Sequence, residues 1–148
     1  MNDGPILICY DGSAGADRAI DAAADLFGRR RAVVLDIGPP LTTAESLAAL
    51  GPVTPGFAFE DLNMDDAKQR AEVGAQHARK AGFEAKPRAD LSAPAWEGIV
   101  AVADEIDAPV IVLGSRGLKG AREVFEGSVS HDVAEHASRP VLIVPPPG

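Results

Sequence analysis

The stretch Val110-Ile-Val-Leu-Gly-Ser-Arg-Gly-Leu-Lys-Gly-Ala-Arg-Glu-Val-Phe-Glu-Gly-Ser-Val-Ser130 joins a strongly apolar run to the start of a helix. Gly114, Gly117, Gly120 and Gly127 remove Cβ where a backbone turns or approaches a ligand, and Ser128 and Ser130 place hydroxyls beside a helix N-terminus. Arg116, Lys119 and Arg122 add positive charge between those glycines. Glycine inside a helix or strand costs roughly 0.5–1 kcal/mol, so a purely structural segment has little reason to keep so many. The pattern is that of an anion cradle.

The chain around it alternates strand and helix. Ile6–Tyr10 is a near-continuous apolar run ending at Asp11-Gly12-Ser13, as expected of a strand buried on both faces. Ala16, Ala19, Ile20, Ala23, Ala24 and Phe27 then follow helical spacing, with Ser13 as N-cap and Gly28 as stop. Ala32–Ile37 is a second strand, halted by Gly38-Pro39-Pro40. The proline- and glycine-bearing segment 38–60 reads as a long loop, with TTAESLAAL able to form a short helix inside it. A helix is expected from Asp61 to Lys80, with a stripe of Met64, Ala67, Ala71, Ala75 and Ala78, before a polar, edge-like strand over Phe83–Ala89. Ser92-Ala93-Pro94 opens a helix running to about Asp107. Val110–Leu113 is the fourth strand, Gly127 to about Ala137 the last helix and Val141–Val144 the fifth strand. Such alternation implies one α/β domain over residues 1–148, an open doubly wound parallel sheet with helices on both faces.

Composition narrows the functional classes. A formal net charge of −8 argues against nonspecific nucleic-acid binding, which depends on Lys and Arg displacing counterions. The single cysteine, Cys9, sits in an apolar run and reads as a small buried hydrophobe. It has no intramolecular partner, and the N-terminus lacks the pattern of a signal peptide; both suit a cytoplasmic protein. No apolar stretch approaches the ~20 residues of a membrane span. His77 reads as a solvated side chain. His131 and His136, at i and i+5, do not share a face and have no cysteine or acidic partner at metal spacing, while Trp96 reads as packing.

In a doubly wound sheet ligands bind beyond the strand carboxyl ends, where the strand order reverses. Asp11, Ile37-Gly38 and Gly114 all fall at such ends. The glycine stretch is not a P-loop, since no Gly-Lys-Ser/Thr occurs, and the first turn, DGSAGA, is not a dinucleotide fingerprint. It does fit G-x2-G-x9-G-[ST] through Gly114, Gly117, Gly127 and Ser128. With Tyr10-Asp11-Gly12-Ser13 and the ending Arg139-Pro140-Val141-Leu142-Ile143-Val144, the chain resembles the nucleotide-binding branch of the universal stress protein family almost throughout.

That resemblance implies strand order 3-2-1-4-5, a homodimer through the Val141–Val144 edge, and a bound adenine nucleotide, ATP above others. By the same resemblance Asp11, with Gly12 and Ser13 beside it, meets the ribose and any Mg2+, and Ile37 meets adenine. Gly114, Arg116, Gly117, Gly127, Ser128, Val129 and Ser130 cradle the phosphates. Two positions depart from the family pattern: Glu126 stands where an apolar residue is common, and Ala89-Asp90-Leu91-Ser92-Ala93 lacks a frequent glycine. A carboxylate within ~4 Å of a phosphate costs about 4 kcal/mol at an effective dielectric of ~20. The expected role is a nucleotide-responsive stress or regulatory protein with no catalytic residue. The same residues leave open a slow ATP hydrolase or phosphotransferase, and a nucleotide-independent module whose 38–60 segment meets a protein partner.

Overall fold

The computed structural model describes residues 2–38, 59–92, 94–115 and 129–146. Five strands, β1 (Ile6–Cys9), β2 (Arg31–Gly38), β3 (Glu84–Leu91), β4 (Ile111–Gly114) and β5 (Val141–Val144), alternate with helices α1 (Ala14–Phe27), α2 (Phe59–Ala81), α3 (Ala95–Glu105) and α4 (Val129–His136). The strands pair only in parallel, in the order β3-β2-β1-β4-β5 expected from the resemblance. Element ends move by a few residues from the sequence reading. β1 stops at Cys9, although the Tyr10 amide still donates to the Leu35 carbonyl at 2.8 Å; β3 runs on to Leu91, and α2 begins at Phe59. The loop reading of 38–60 and its short helix fall, for residues 39–58, outside the described residues.

Both sheet faces are buried, which is why the central strands read as unbroken apolar runs. Ile6, Ile8, Ala32, Val34, Ala85, Val112 and Val144 meet Ala16, Ala19, Ile20 and Ala23 of α1 and Ala75 and Ala78 of α2. The alternate residues Leu7, Leu35, Ile111 and Leu113 meet Ile99, Val102 and Ala103 of α3 and Val133 of α4. A parallel crossover has a fixed hand, so a chain that reverses its direction across the sheet must change faces. The first two helices accordingly cover one face and the last two the other.

Local chemistry sets the element ends. Ser13 has extended backbone (φ −83°, ψ 162°) and its hydroxyl accepts the Ala16 amide at 3.1 Å, so α1 starts there. Gly28, at φ 69°, ends it, its amide donating a hydrogen bond to the Ala24 carbonyl. α2 presents Ala67, Ala71, Ala75 and Ala78, all fully buried. Gly74 lets this helix approach closest, since a Cβ there would lie 2.7 Å from Tyr10 Cγ and 2.8 Å from Val34 Cγ1.

Gly74→Ala is therefore expected to destabilise the protein, by about 1–3 kcal/mol from overpacking, less the ~1 kcal/mol that alanine gains over glycine in a helix. Urea denaturation measures the balance, and a variant as stable as the wild type would show that α2 has room to retreat.

Candidate functional site

β1 leads through α1 to β2 on one side of itself, while β4 lies on the other side, so the strand order reverses at β1. The carboxyl ends of β1, β2 and β4 meet around that point. Just past β1, Asp11 Oδ1 accepts the Ser13 amide at 2.9 Å, closing a turn of the kind aspartate favours. Gly12 in its middle takes φ 84°, a value that disfavours any residue with a Cβ.

Ile37 lies two residues beyond the Cys9↔Leu35 pair, half-buried against the α3 face. Gly114 ends β4 opposite Val144, whose carbonyl also accepts the Ser115 amide at 3.0 Å. A helix that follows a parallel strand starts at the strand's carboxyl edge, which places Val129 and Ser130, the first turn of α4, on this side. Val129 is exposed. Ser130 is 8% exposed, and its hydroxyl makes no hydrogen bond among the described residues.

The topology thus gathers Asp11, Gly12, Ser13, Ile37, Gly114, Val129 and Ser130 at one edge. Arg116, Gly117, Gly127 and Ser128, and the departure at Glu126, lie outside the described residues.

Two residues that sequence reasoning passed over stand behind this edge. Asp36, at the end of β2, is 1% exposed, and Arg70 of α2 grips it with two bonds, Nε to Oδ2 at 2.8 Å and Nη2 to Oδ1 at 3.2 Å. Burial drives the Asp36 carboxyl above its ordinary range, against the pull of the Arg70 bond and with a further push from Asp11. Arg70 is raised in turn, mainly by its bond to Asp36. A guanidinium does not lose its proton in proteins, so the two-bond geometry keeps the pair ionised at neutral pH. The signal was present in the sequence: Asp36 interrupts an apolar strand on the same face as Ala32 and Val34, where a carboxylate requires a cation.

A second polar chain runs outward from the same place. The Tyr10 hydroxyl donates to Asp17 Oδ1 at 2.9 Å, and His77 lies between Asp17 (3.5 Å) and Asp21 (2.8 Å). His77 is therefore not simply solvated; it bridges α2 to α1. His131 likewise has acidic neighbours, Glu135 at 3.3 Å and Asp132, with one ligand atom of each within 4.8 Å of the others, contrary to the expectation of no acidic partner at metal spacing. His131 and Glu135 are exposed and Asp132 is half-buried. Trp96 packs as expected, stacked on His136 at a centroid separation of 3.9 Å. Cys9 is half-buried against the α3 face, and burial, with Asp11, pushes its thiol up to about 12. A cavity of about 550 Å3 lies elsewhere, at the amino ends of β2 and β3, lined by Pro5, Arg31, Val33, Glu84 and Lys86 among others; it shares no residue with the site.

The profile of the universal stress protein family matches residues 4–145. The chain belongs to the universal stress protein family. Universal stress protein YxiE of Bacillus subtilis is 33% identical over 144 residues, covering 94% of this chain and 97% of its own. The solved universal stress protein from Archaeoglobus fulgidus superposes with a TM-score of 0.67 at 26% identity, over 95% of this chain and 92% of that one. A universal stress protein solved in complex with cAMP superposes with a TM-score of 0.66 at 22% identity, over 97% and 98% of the two chains. Among the described residues of this family member, no helix is long and apolar enough to cross a membrane.

Tyr10, the only tyrosine, reports on the ground behind the site. Burial, then the bond to Asp17, pushes its hydroxyl up to about 12. An acid held above its unfolded value of about 10 binds its proton more tightly in the fold, so the stabilisation is complete below about pH 10 and is lost as pH rises through about 12. Ultraviolet titration of the native protein is expected to show no phenolate at pH 10.5, and Asp17→Asn is expected to lower the midpoint. A native transition near 10 would contradict the half-buried Tyr10–Asp17 bond.

Proposed function

We propose that this universal stress protein binds an adenine nucleotide, ATP above others, where the strand order reverses, and serves as a nucleotide-responsive stress or regulatory protein. The observation that carries the reading is the convergence of Asp11, Ile37, Gly114 and Ser130 at the carboxyl edge of the sheet. Solved relatives of the same fold support it, one in complex with cAMP, one from Archaeoglobus fulgidus in complex with dAMP, and one from Arabidopsis thaliana with AMP bound.

Each group has a physical task. Ile37 offers an apolar wall for a purine, and Asp11 accepts hydrogen bonds from ribose hydroxyls. The glycines from Gly114 to Gly127 expose backbone amides to phosphate oxygens, with Gly12 and Ser13 across the crevice and Arg116, Gly117, Ser128, Val129 and Ser130 completing the cradle. The hydroxyl of the nearly buried Ser130, without a hydrogen bond among the described residues, fits a phosphate ligand. Mg2+ also fits the residues present: Asp11 uses Oδ1 on Ser13 and leaves Oδ2 without a hydrogen bond among the described residues. Such an ion takes one carboxylate plus phosphate oxygens and water, and would shield charge on the phosphates. Asp36 is not available to it, being held by Arg70.

The two sheet edges favour a homodimer through β5. β3 carries Lys86, Pro87 and Arg88, which discourage pairing, whereas Val141–Val144 is apolar throughout. A cytoplasmic home and little turnover both follow the sequence reading, in which no motif arranges a base or an arginine for phosphoryl transfer.

Denaturing the purified protein is expected to release an adenine nucleotide. Calorimetric titration with ATP, AMP and cAMP should give binding that Gly114→Val weakens at least about tenfold, the scale of one well-placed interaction of ~1.4 kcal/mol. No released nucleotide and no heat with any of the three would remove the reading, and sedimentation of the same sample as a monomer would remove the dimer.

A further inference from the structure

The geometry points to Arg70, anchored by Asp36, as a positioning residue that sets the charge of the nucleotide site from behind the Asp11 turn. This rests on the adenine-nucleotide reading and deepens it, since neither residue belongs to the glycine cradle or to the Asp11–Ile37 wall. Arg70 Cδ lies 3.6 Å from the place a Gly12 Cβ would occupy, so the arginine stem backs the turn itself. Asp11 acts electrostatically on both Arg70 and Asp36. The group of three, Asp11, Asp36 and Arg70, carries a net charge of −1 by summing two carboxylates and one guanidinium.

Two features show that this pair is more than a structural rivet. A buried ion pair is often no more stable than an apolar pair of the same volume, so stability alone gives little reason to place one here. And only Nε and Nη2 are spent on Asp36; Nη1 makes no hydrogen bond among the described residues, and the Arg70 side chain keeps 37% of its surface exposed. Gly74, one turn further along α2, brings this part of the helix close to Tyr10 and Val34 and so holds the guanidinium at the carboxyl edge. Arg70 offsets the Asp36 charge behind the turn, so of these three groups only Asp11 stays uncompensated, and it remains an acceptor for the ribose.

The test compares AMP, which carries phosphate charge, with adenosine, which does not, by calorimetry at low salt without Mg2+. Charge acting through space over roughly 10 Å predicts that Asp36→Asn strengthens AMP about fivefold relative to adenosine, and that Arg70→Met/Asp36→Asn, which removes both charges, returns the ratio to that of the wild type. A gain in AMP alone that the second substitution cancels is the signature of charge; a merely structural pair would lower both ligands together in both variants. Equal factors for the two ligands, or no change in Asp36→Asn, would overturn the proposal. If the double variant does not fold, Asp36→Asn decides alone, because it leaves a partly solvated cation beside an amide and no buried unpaired carboxylate. A wild type that binds neither ligand removes the nucleotide reading and this proposal with it, whereas wild-type binding with an unchanged ratio in Asp36→Asn removes only this one.

Discussion

An all-parallel sheet constrains everything else in this molecule. Each parallel neighbour requires a crossover, each crossover has the same hand, and the sheet must be covered on both faces to bury its apolar strands. A chain that builds β1, β2 and β3 outward in one direction and then returns to add β4 and β5 on the other side meets all three demands. The cost is a gap at the carboxyl ends of β1 and β4, where successive connections leave in opposite directions. The gap is a consequence of the fold, and the chain fills its rim with residues that a core does not need: an aspartate, a positive-φ glycine and a serine whose hydroxyl makes no hydrogen bond among the described residues.

Close packing then decides how polar groups reach that rim. The α2 stripe is built almost wholly of alanine, and Gly74 removes even the methyl group where Tyr10 and Val34 press against the helix. Small residues bring the helix axis near the sheet, and only at that distance does Arg70 grip the buried carboxylate of Asp36. The same seam carries Tyr10 to Asp17 and His77 to Asp17 and Asp21, so α1 and α2 are joined by polar contacts above and apolar contacts below. On the opposite face α3 and α4 rely on apolar packing and the Trp96–His136 stack.

What was legible in the sequence follows from range. Local signals read well: Ser13 as a cap, Gly28 as a stop and Val141–Val144 as a strand each depend on neighbours a few residues away. The alternation of strands and helices gave the parallel sheet, but the order 3-2-1-4-5 came from resemblance, because periodicity carries no information on which strands are adjacent. Long-range polar pairs were missed for the same reason. Asp36 and Arg70 are 34 residues apart, and His77 and Asp21 are 56 apart, so nothing in either local pattern names its partner. His131 is a different case: its acidic neighbours Asp132 and Glu135 lie within about one turn of the helix, a local signal that the i, i+5 spacing to His136 does not carry.

On this reading the reversal point, and not the cavity at the amino ends of β2 and β3, is where the protein meets its ligand. A crystal structure of the protein grown with ATP tests it most directly. The expected electron density is adenine against Ile37, ribose on Asp11 and phosphates along the segment from Gly114 to Ser130. Nucleotide seated instead among Arg31, Glu84 and Lys86, with the Asp11 turn empty, would contradict it.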